Sequence, residues 1–386
     1  MPAASILIKP ASSNCNINCK YCFYKCLSSS RSEYSKGFMT DDTLEQLVIN
    51  AISYADEFLS FAFQGGEPLL AGTSFFYKVL KLQKKYNTKG LHIENTIQTN
   101  GTLINEEWAE FLAENNFLTG LSLDGPKKIH DKYRKTTDNN GTFEDVMHAA
   151  SLLKQYNADF NILSVITNDT AQKASYLYKF YKSHGFEYIQ IVPCMDEAGR
   201  DTIENTGFAV DAELYGKFLC EFFDLWYTDF ITGSNMDIRM FSNLAQMAAG
   251  YAAEQCGMNG FCHCYFATEG DGSVYPCDFY CTDNWKLGNV KDGFDKLSAS
   301  EKAGLFIESS RYQAEECKEC PYYRLCRGGC RRWREPFTNG LPGINSLCKA
   351  YKIFFKHTEK RIYKLGQLIK YRTQPQAYKY GGILCQ

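Results

Sequence analysis

Short apolar runs alternate with longer stretches of helical spacing through the first half of the chain. Runs rich in β-branched and aromatic residues stand at positions 6–8, 59–63, 91–97, 118–123, 160–166 and 188–192. Between them, apolar residues recur three and four apart over 42–58, 74–86, 106–115, 142–156 and 171–184, the pattern of helices with one buried face. This alternation predicts a parallel sheet, because a right-handed crossover returns each strand beside the one before it. The expected fold class is α/β, an open partial (β/α)6 barrel whose site lies at the carboxyl ends of its strands. Polar and glycine-bearing segments fall at those ends: Gln64-Gly65-Gly66-Glu67-Pro68, Gln98-Thr99-Asn100-Gly101 and Ser122-Leu123-Asp124-Gly125.

The periodicity changes further along. A helix rich in Phe, Leu and Trp is expected over 211–230, and plain core packing accounts for it. From about Tyr251 the pattern becomes irregular and rich in Cys, Gly and aromatic residues, so metal or cluster ligation is expected to supply much of that region's stability. Helical spacing resumes over 347–370. The domains expected are thus 1–235, the partial barrel; 236–370, a cysteine-rich domain with a C-terminal helix; and 371–386, a weakly structured tail. No internal repeat is visible.

Composition narrows the function. The 386 residues carry a formal net charge of −2, which gives nucleic acid no electrostatic purchase. No apolar stretch reaches membrane-spanning length, and the first residues lack the basic-then-apolar pattern of a secretory signal, so a cytoplasmic location is expected. In that reducing setting seventeen cysteines read as metal or cluster ligands in place of disulfides.

Two cysteine groups carry the chemistry. Cys15, Cys19 and Cys22 form a Cys-x3-Cys-x2-Cys loop. Three thiolates leave one iron of a four-iron cubane open, and an open coordination position is usually where a substrate or cofactor binds. A zinc knuckle is the plainer alternative. The second group, Cys256, Cys262, Cys277, Cys317, Cys320, Cys326, Cys330 and Cys348, offers two complete four-thiolate shells. Spacing alone does not separate two iron–sulfur clusters from two zinc ribbons.

The three-cysteine loop resembles the signature of the radical S-adenosylmethionine enzymes, including Tyr21 before the third cysteine. Gly65-Gly66-Glu67-Pro68 resembles that family's element at the cofactor's amino group. The later cysteines resemble a SPASM extension, and the whole chain is similar to the anaerobic sulfatase-maturating enzymes. That likeness rests on Ile-Lys-Pro-Ala-Ser-Ser at the start, Phe-Gln-Gly-Gly-Glu-Pro, Gln-Thr-Asn-Gly-Thr-Leu, Asp-Gly-Pro, Cys-Gly-Met-Asn-Gly and Asp-Gly-Ser-Val-Tyr-Pro-Cys-Asp-Phe-Tyr. It implies S-adenosylmethionine and three [4Fe–4S] clusters. The first cluster would sit on the N-terminal loop, the second on Cys256, Cys262, Cys277 and Cys330, and the third on Cys317, Cys320, Cys326 and Cys348.

By the same likeness Tyr21, Gly66, Glu67, Ser122, Arg134 and Met195 belong at S-adenosylmethionine, and Asp278 is the general base, although a turn-capping aspartate is the commoner fate of such a residue. Tyr24, Gln64, Gln98 and Asn100 are candidate contacts to the peptide. The implied reaction is oxygen-independent oxidation of a cysteine or serine, in a Cys/Ser-x-Pro/Ala-x-Arg segment of an unfolded sulfatase, to Cα-formylglycine, with flavodoxin or ferredoxin as reductant. Two alternatives remain at this point: a radical peptide maturase forming thioether or carbon–carbon cross-links, and a non-catalytic zinc-binding interaction protein. Cys26, Cys194, Cys220, Cys264, Cys281 and Cys385 have no place in the scheme and default to small buried hydrophobes.

Overall fold

The computed structural model describes residues 4–195, 207–337 and 340–373, so Cys385 and the tail from 374 onward lie outside the described residues. Ten strands follow in chain order: β1 (Ala4–Ile8), β2 (Phe58–Phe63), β3 (His92–Thr99), β4 (Leu118–Ser122), β5 (Phe160–Ile166), β6 (Tyr188–Pro193), β7 (Asp237–Ile238), β8 (Ala267–Thr268), β9 (Ser273–Tyr275) and β10 (Gly288–Asn289). The chain divides into two compact units. The first comprises Met1–Thr167, Val192–Ala209 and His263–Glu308, and the second Asn168–Ile191, Val210–Cys262 and Ser309–Gln386.

In the first unit the sheet runs β10-β9-β8-β1-β2-β3-β4-β5, parallel from β8 through β5. β9 and β10 add antiparallel neighbours that the sequence does not announce, because two or three residues carry no readable alternation. The register sets the site. Ile8 pairs with Phe63 and Phe63 with Ile97, while Thr99 pairs with Leu121, so Lys9, Gln64, Gln98 and Ser122 follow one another across the carboxyl ends. Ile8 also pairs with Thr268, which brings Glu269 to the same edge. Crossover helices at Asp41–Tyr54, Thr73–Tyr86, Glu106–Glu114 and Phe143–Gln155 bury their apolar faces on this sheet. Phe63, Phe76, Trp108, Phe111 and Phe117 form an aromatic core there, with ring centroids 5.0–6.3 Å apart.

Some boundaries differ from expectation. The helix expected over 42–58 stops at Tyr54: Ala55 turns extended, and Phe58 already belongs to β2. Its start is fixed by Thr40, whose hydroxyl accepts the Thr43 N–H at 3.2 Å. The stretch expected as one helix over 171–184 begins with a 3-10 turn, Ala171–Lys173, before the α-helix Ala174–Ser183. Short helices at Phe23–Ser29 and Lys127–Tyr133 lie next to functional motifs and are too brief to show periodicity.

The second unit is helical, with β6 and β7 paired in parallel. Helices Ala212–Ile231, Arg239–Ala249 and Cys348–Thr373 pack together through Phe223, Trp226, Phe241 and Phe354. The last helix runs past Tyr371, where the weakly structured tail was expected to begin, to Thr373. Among the described residues no helix is long and apolar enough to cross a membrane.

Candidate active site

The loop carrying Cys15, Cys19 and Cys22 leaves β1 and enters the helix Phe23–Ser29. It is held from two sides. On one, Ile17 bridges Thr136, and the Asn18 and Lys20 N–H groups donate to the Lys135 and Tyr133 carbonyls at 2.6 and 3.0 Å. That register sets Cys19 opposite Arg134, whose Nη1 lies 4.0 Å from Cys19 Sγ. On the other, Gly66 N–H donates to the Ser12 carbonyl and Glu67 N–H to the Asn14 carbonyl, both at 2.8 Å. A β-carbon on Gly66 would stand 2.0 Å from the Asn14 carbonyl oxygen, so the approach requires glycine. Burial, with smaller contributions from neighbouring thiols and carboxylates, pushes the Cys15 thiol up to about 11 and Cys19 up to about 12. A coordinated cation reverses that preference by deprotonating the thiol outright.

Two buried carboxylates organise the neighbouring pocket wall. Glu67 accepts from Leu69 N–H at 3.0 Å and from Thr99 Oγ1 and Asn100 N–H at 2.8 Å. Burial nevertheless pushes its carboxyl up to about 7, the mark of an acid lacking a cationic partner. Asp124 grips Arg134 with both oxygens, at 3.0 Å to Nε and 3.3 Å to Nη2, and also accepts from the Tyr21 hydroxyl and the Val165 N–H. Behind it, buried His130 Nδ1 accepts from Asp124 N–H at 3.3 Å and its Nε2 bonds Thr142 at 3.0 Å. Gln98 donates to Ser122 Oγ at 3.1 Å. Asn100 turns its amide toward Cys15 Sγ (3.8 Å) and Asn16 Oδ1 (2.9 Å), bracing the cluster loop. Met195 is half-buried two residues beyond β6.

Asp278 follows β9. Its side chain is 13 % exposed, and its two oxygens accept from Lys9 Nζ and Gln64 Nε2. Lys9 is sealed from solvent, with its ammonium 3.3 Å from the centroid of the Tyr24 ring. Burial acts to lower the lysine's pKa, yet Asp278 and then Cys281, Tyr24 and Glu269 outweigh it and hold the value above normal. Tyr24 donates to Glu269, which also accepts from Ser12 Oγ at 2.7 Å and ion-pairs Arg31 at 3.0 Å. Sequence reasoning assigned no role to Lys9, Arg31, Asp124, His130 or Glu269. For Lys9 the local signal was charge at the end of an apolar strand, and Asp124 stood in the Ser122-Leu123-Asp124-Gly125 motif.

The second unit gathers the later cysteines. Cys317, Cys320, Cys326 and Cys348 line one cavity, and Cys256, Cys262 and Cys330 line another. Cys277, assigned to the same set as those three, belongs to the first unit. Burial pushes the Cys326 thiol up to about 11 and Cys330 to about 12. These donor sets fit clusters. Among the described residues no three His, Cys, Asp or Glu side chains close around a single ion, and a cubane, which takes each thiolate on a different iron, does not ask for that arrangement. Of the unassigned thiols, Cys194 and Cys281 are buried as expected, whereas Cys26, Cys220 and Cys264 are half-buried.

Comparison with known proteins agrees with this geometry. The radical SAM superfamily profile matches residues 10–180, and an iron–sulfur cluster-binding SPASM profile matches 256–321. A cysteine-type anaerobic sulfatase-maturating enzyme of Clostridium perfringens (strain 13) is 46 % identical over 96 % of this chain and all of its own length. The chain belongs to the anaerobic sulfatase-maturating enzymes. A serine-type member from Bacteroides thetaiotaomicron is 34 % identical over 91 % of this chain and 88 % of its own. The solved structure of native anSMEcpe with bound AdoMet and Cp18Cys peptide superposes with a TM-score of 0.90, at 44 % identity over 95 % of this chain and all of that one. The fold is therefore the radical SAM partial barrel followed by a SPASM domain, as expected.

Proposed function

We propose that this protein oxidises a cysteine or serine in a Cys/Ser-x-Pro/Ala-x-Arg segment of an unfolded sulfatase to Cα-formylglycine without oxygen. Within a chain of this family, the observation that carries the reading is Asp278: a carboxylate partly open to solvent, gripped by Lys9 and Gln64 at the strand ends that also carry the three-thiol loop. The cofactors are S-adenosylmethionine and three [4Fe–4S] clusters. When bound, they supply a hydrogen-abstracting 5′-deoxyadenosyl radical and an acceptor for one electron.

The protein's own groups divide the remaining work. Cys15, Cys19 and Cys22 hold the first cluster, Cys256, Cys262, Cys277 and Cys330 the second, and Cys317, Cys320, Cys326 and Cys348 the third. Glu67, a buried carboxylate short of a cation, takes the cofactor's ammonium beside Gly66. Arg134, aimed by Asp124, takes its carboxylate, while Tyr21, Ser122 and Met195 border the nucleoside. Tyr24, Gln64, Gln98 and Asn100 stand by the peptide. Asp278 accepts the proton that the substrate loses when its β-carbon becomes a thioaldehyde or aldehyde. A low-potential carrier such as flavodoxin or ferredoxin serves as reductant, in the cytoplasm. The domain limits follow the cysteine distribution: 1–235, 236–370 and a tail.

The test is anaerobic incubation of the cluster-loaded enzyme with S-adenosylmethionine, dithionite and a Cys-x-Pro-x-Arg peptide, read by mass spectrometry with aldehyde trapping. The cysteine peptide is tried first because the cysteine-type relative is the nearer of the two compared, at 46 % against 34 % identity. A trapped aldehyde whose yield falls steeply, to a measurable residue, in Asp278→Asn supports the proposal. A product that has lost hydrogen but yields no aldehyde points to cross-link chemistry. Unchanged peptide beside 5′-deoxyadenosine means another substrate.

A further inference from the structure

Lys9 is a charged residue fully buried in the first unit. A lysine with no solvent exposure loses its hydration, and a buried ion pair usually stabilises a fold no better than a well-packed apolar pair of the same size. Stability alone does not account for this one. Its surroundings are also built to keep the ammonium still. Tyr24 lies under it at 3.3 Å, Arg31 Cζ lies 5.1 Å from the same ring, and the Tyr24 hydroxyl is tied to Glu269. Glu269 is fixed in turn by Ser12 at 2.7 Å and Arg31 at 3.0 Å. The backbone of Lys9 is pinned as well, its N–H donating to the Thr268 carbonyl at 2.8 Å. Two cations, Lys9 and Arg31, balance two carboxylates, Glu269 and Asp278. Of the four side chains only that of Asp278, at 13 %, has more than 1 % of its surface exposed.

We propose that Lys9 is the positioning residue for the proton-accepting step, holding one oxygen of Asp278 while Gln64 holds the other, so that the carboxylate stays aimed at the bound peptide. The inference rests on the proposed function and deepens it. In that step the substrate β-carbon radical loses the S–H or O–H proton to Asp278 and one electron to the oxidised auxiliary clusters, and a carbon–sulfur or carbon–oxygen double bond forms. Lys9 neither gains nor loses a proton. It keeps the acceptor within reach, and a misplacement of about 1 Å at such a point costs on the order of a hundredfold in rate.

The experiment compares cluster-loaded wild type, Lys9→Met, Asp278→Asn and the double variant with the cysteine peptide. It measures 5′-deoxyadenosine, trapped aldehyde and, by fluorescence anisotropy, peptide affinity. Lys9→Met is expected to bind peptide within about twofold of wild type and to continue forming 5′-deoxyadenosine, while aldehyde falls about 10–100-fold. The ratio of 5′-deoxyadenosine to aldehyde therefore rises, which a general loss of structure does not produce. Added to Asp278→Asn, the lysine change is expected to cost less than about a further twofold, because both act on one step. The proposal is overturned if the two products fall in parallel, if peptide affinity collapses, or if the two effects multiply. Should Lys9→Met alone fail to take up clusters, the double variant leaves neither charge buried alone, and turnover below that of Asp278→Asn overturns the proposal. Absence of aldehyde from the wild type is a separate result that removes the function itself.

Discussion

The three-thiol loop of the first unit and the cysteine-lined cavities of the second hold sulfur by different means. In the first, Cys15 and Cys19 sit on a frame held by protein contacts: a parallel ladder, a close approach at Gly66, and buried carboxylates hydrogen-bonded by Asn100, Thr99, Tyr21 and Arg134. In the second, Cys317 and Cys326 ride on the four-residue helices Glu315–Lys318 and Tyr323–Cys326, with only Leu325 fully buried among those eight residues, and Cys320 lies between the two. Helices that short do not hold themselves in water. The first region's frame stands on protein contacts, whereas the second region's short helices are expected to take their order from the clusters they would hold.

Cluster removal gives the sharpest contrast. Cys15→Ala is expected to reduce S-adenosylmethionine cleavage to background while leaving the circular-dichroism melt of the protein nearly unchanged. Cys326→Ala should open the cysteine-rich segment to limited proteolysis and lower the melting temperature. Equal loss of order in both variants would erase the distinction.

Acid should probe the first region's frame selectively. Burial holds His130 neutral, its pKa pushed down from 6.5 to about 4. The unfolded chain takes up that proton near pH 6.5 and the folded one only near pH 4. Stability is therefore intact above pH 6.5 and lost as pH falls through that window, by up to about 3 kcal/mol. Urea midpoints measured at pH 7 and pH 5 should show a smaller decline for His130→Asn than for wild type.

Asp124→Asn tests the same frame through ligand affinity. Loss of the charge-assisted grip on Arg134 is expected to weaken S-adenosylmethionine binding about 10–100-fold, with iron content unaltered. Lost iron in that variant would mean that the ladder at Cys19, and not Arg134, had moved. The smallest effect belongs to Thr40→Ala, which removes a helix cap. It should cost about 1 kcal/mol in denaturant stability, without changing cluster content or turnover.

What the sequence revealed and what it hid divide along physical lines. Strands such as β2 and β5 and the crossover helices were legible because burial on one or both faces imposes a local period. The cysteine loop was legible because ligand spacing is local too. The partnership of Lys9 with Asp278 was not, since 269 positions separate the two and only the pairing of β1 with β8 brings them together. Asp124 stood in a quoted motif, yet its grip on Arg134 depends on a short helix, Lys127–Tyr133, with no visible period. The helix expected to end at 58 was overextended because Phe58 continues an apolar spacing that in fact belongs to the next strand.

The pairing of β1 with β8 also orders events during synthesis. The ribosome releases Lys9 almost at once, but its carboxylate emerges some 269 residues later. Until β8 and β9 arrive, the first strand has an uncovered edge and the lysine has no counter-ion to justify its burial. The nascent chain can therefore assemble its three-thiol frame early, while the carboxylate that pairs with Lys9 arrives later. The proposed proton acceptor of a free-radical enzyme thus meets its lysine only once translation of most of the chain is complete.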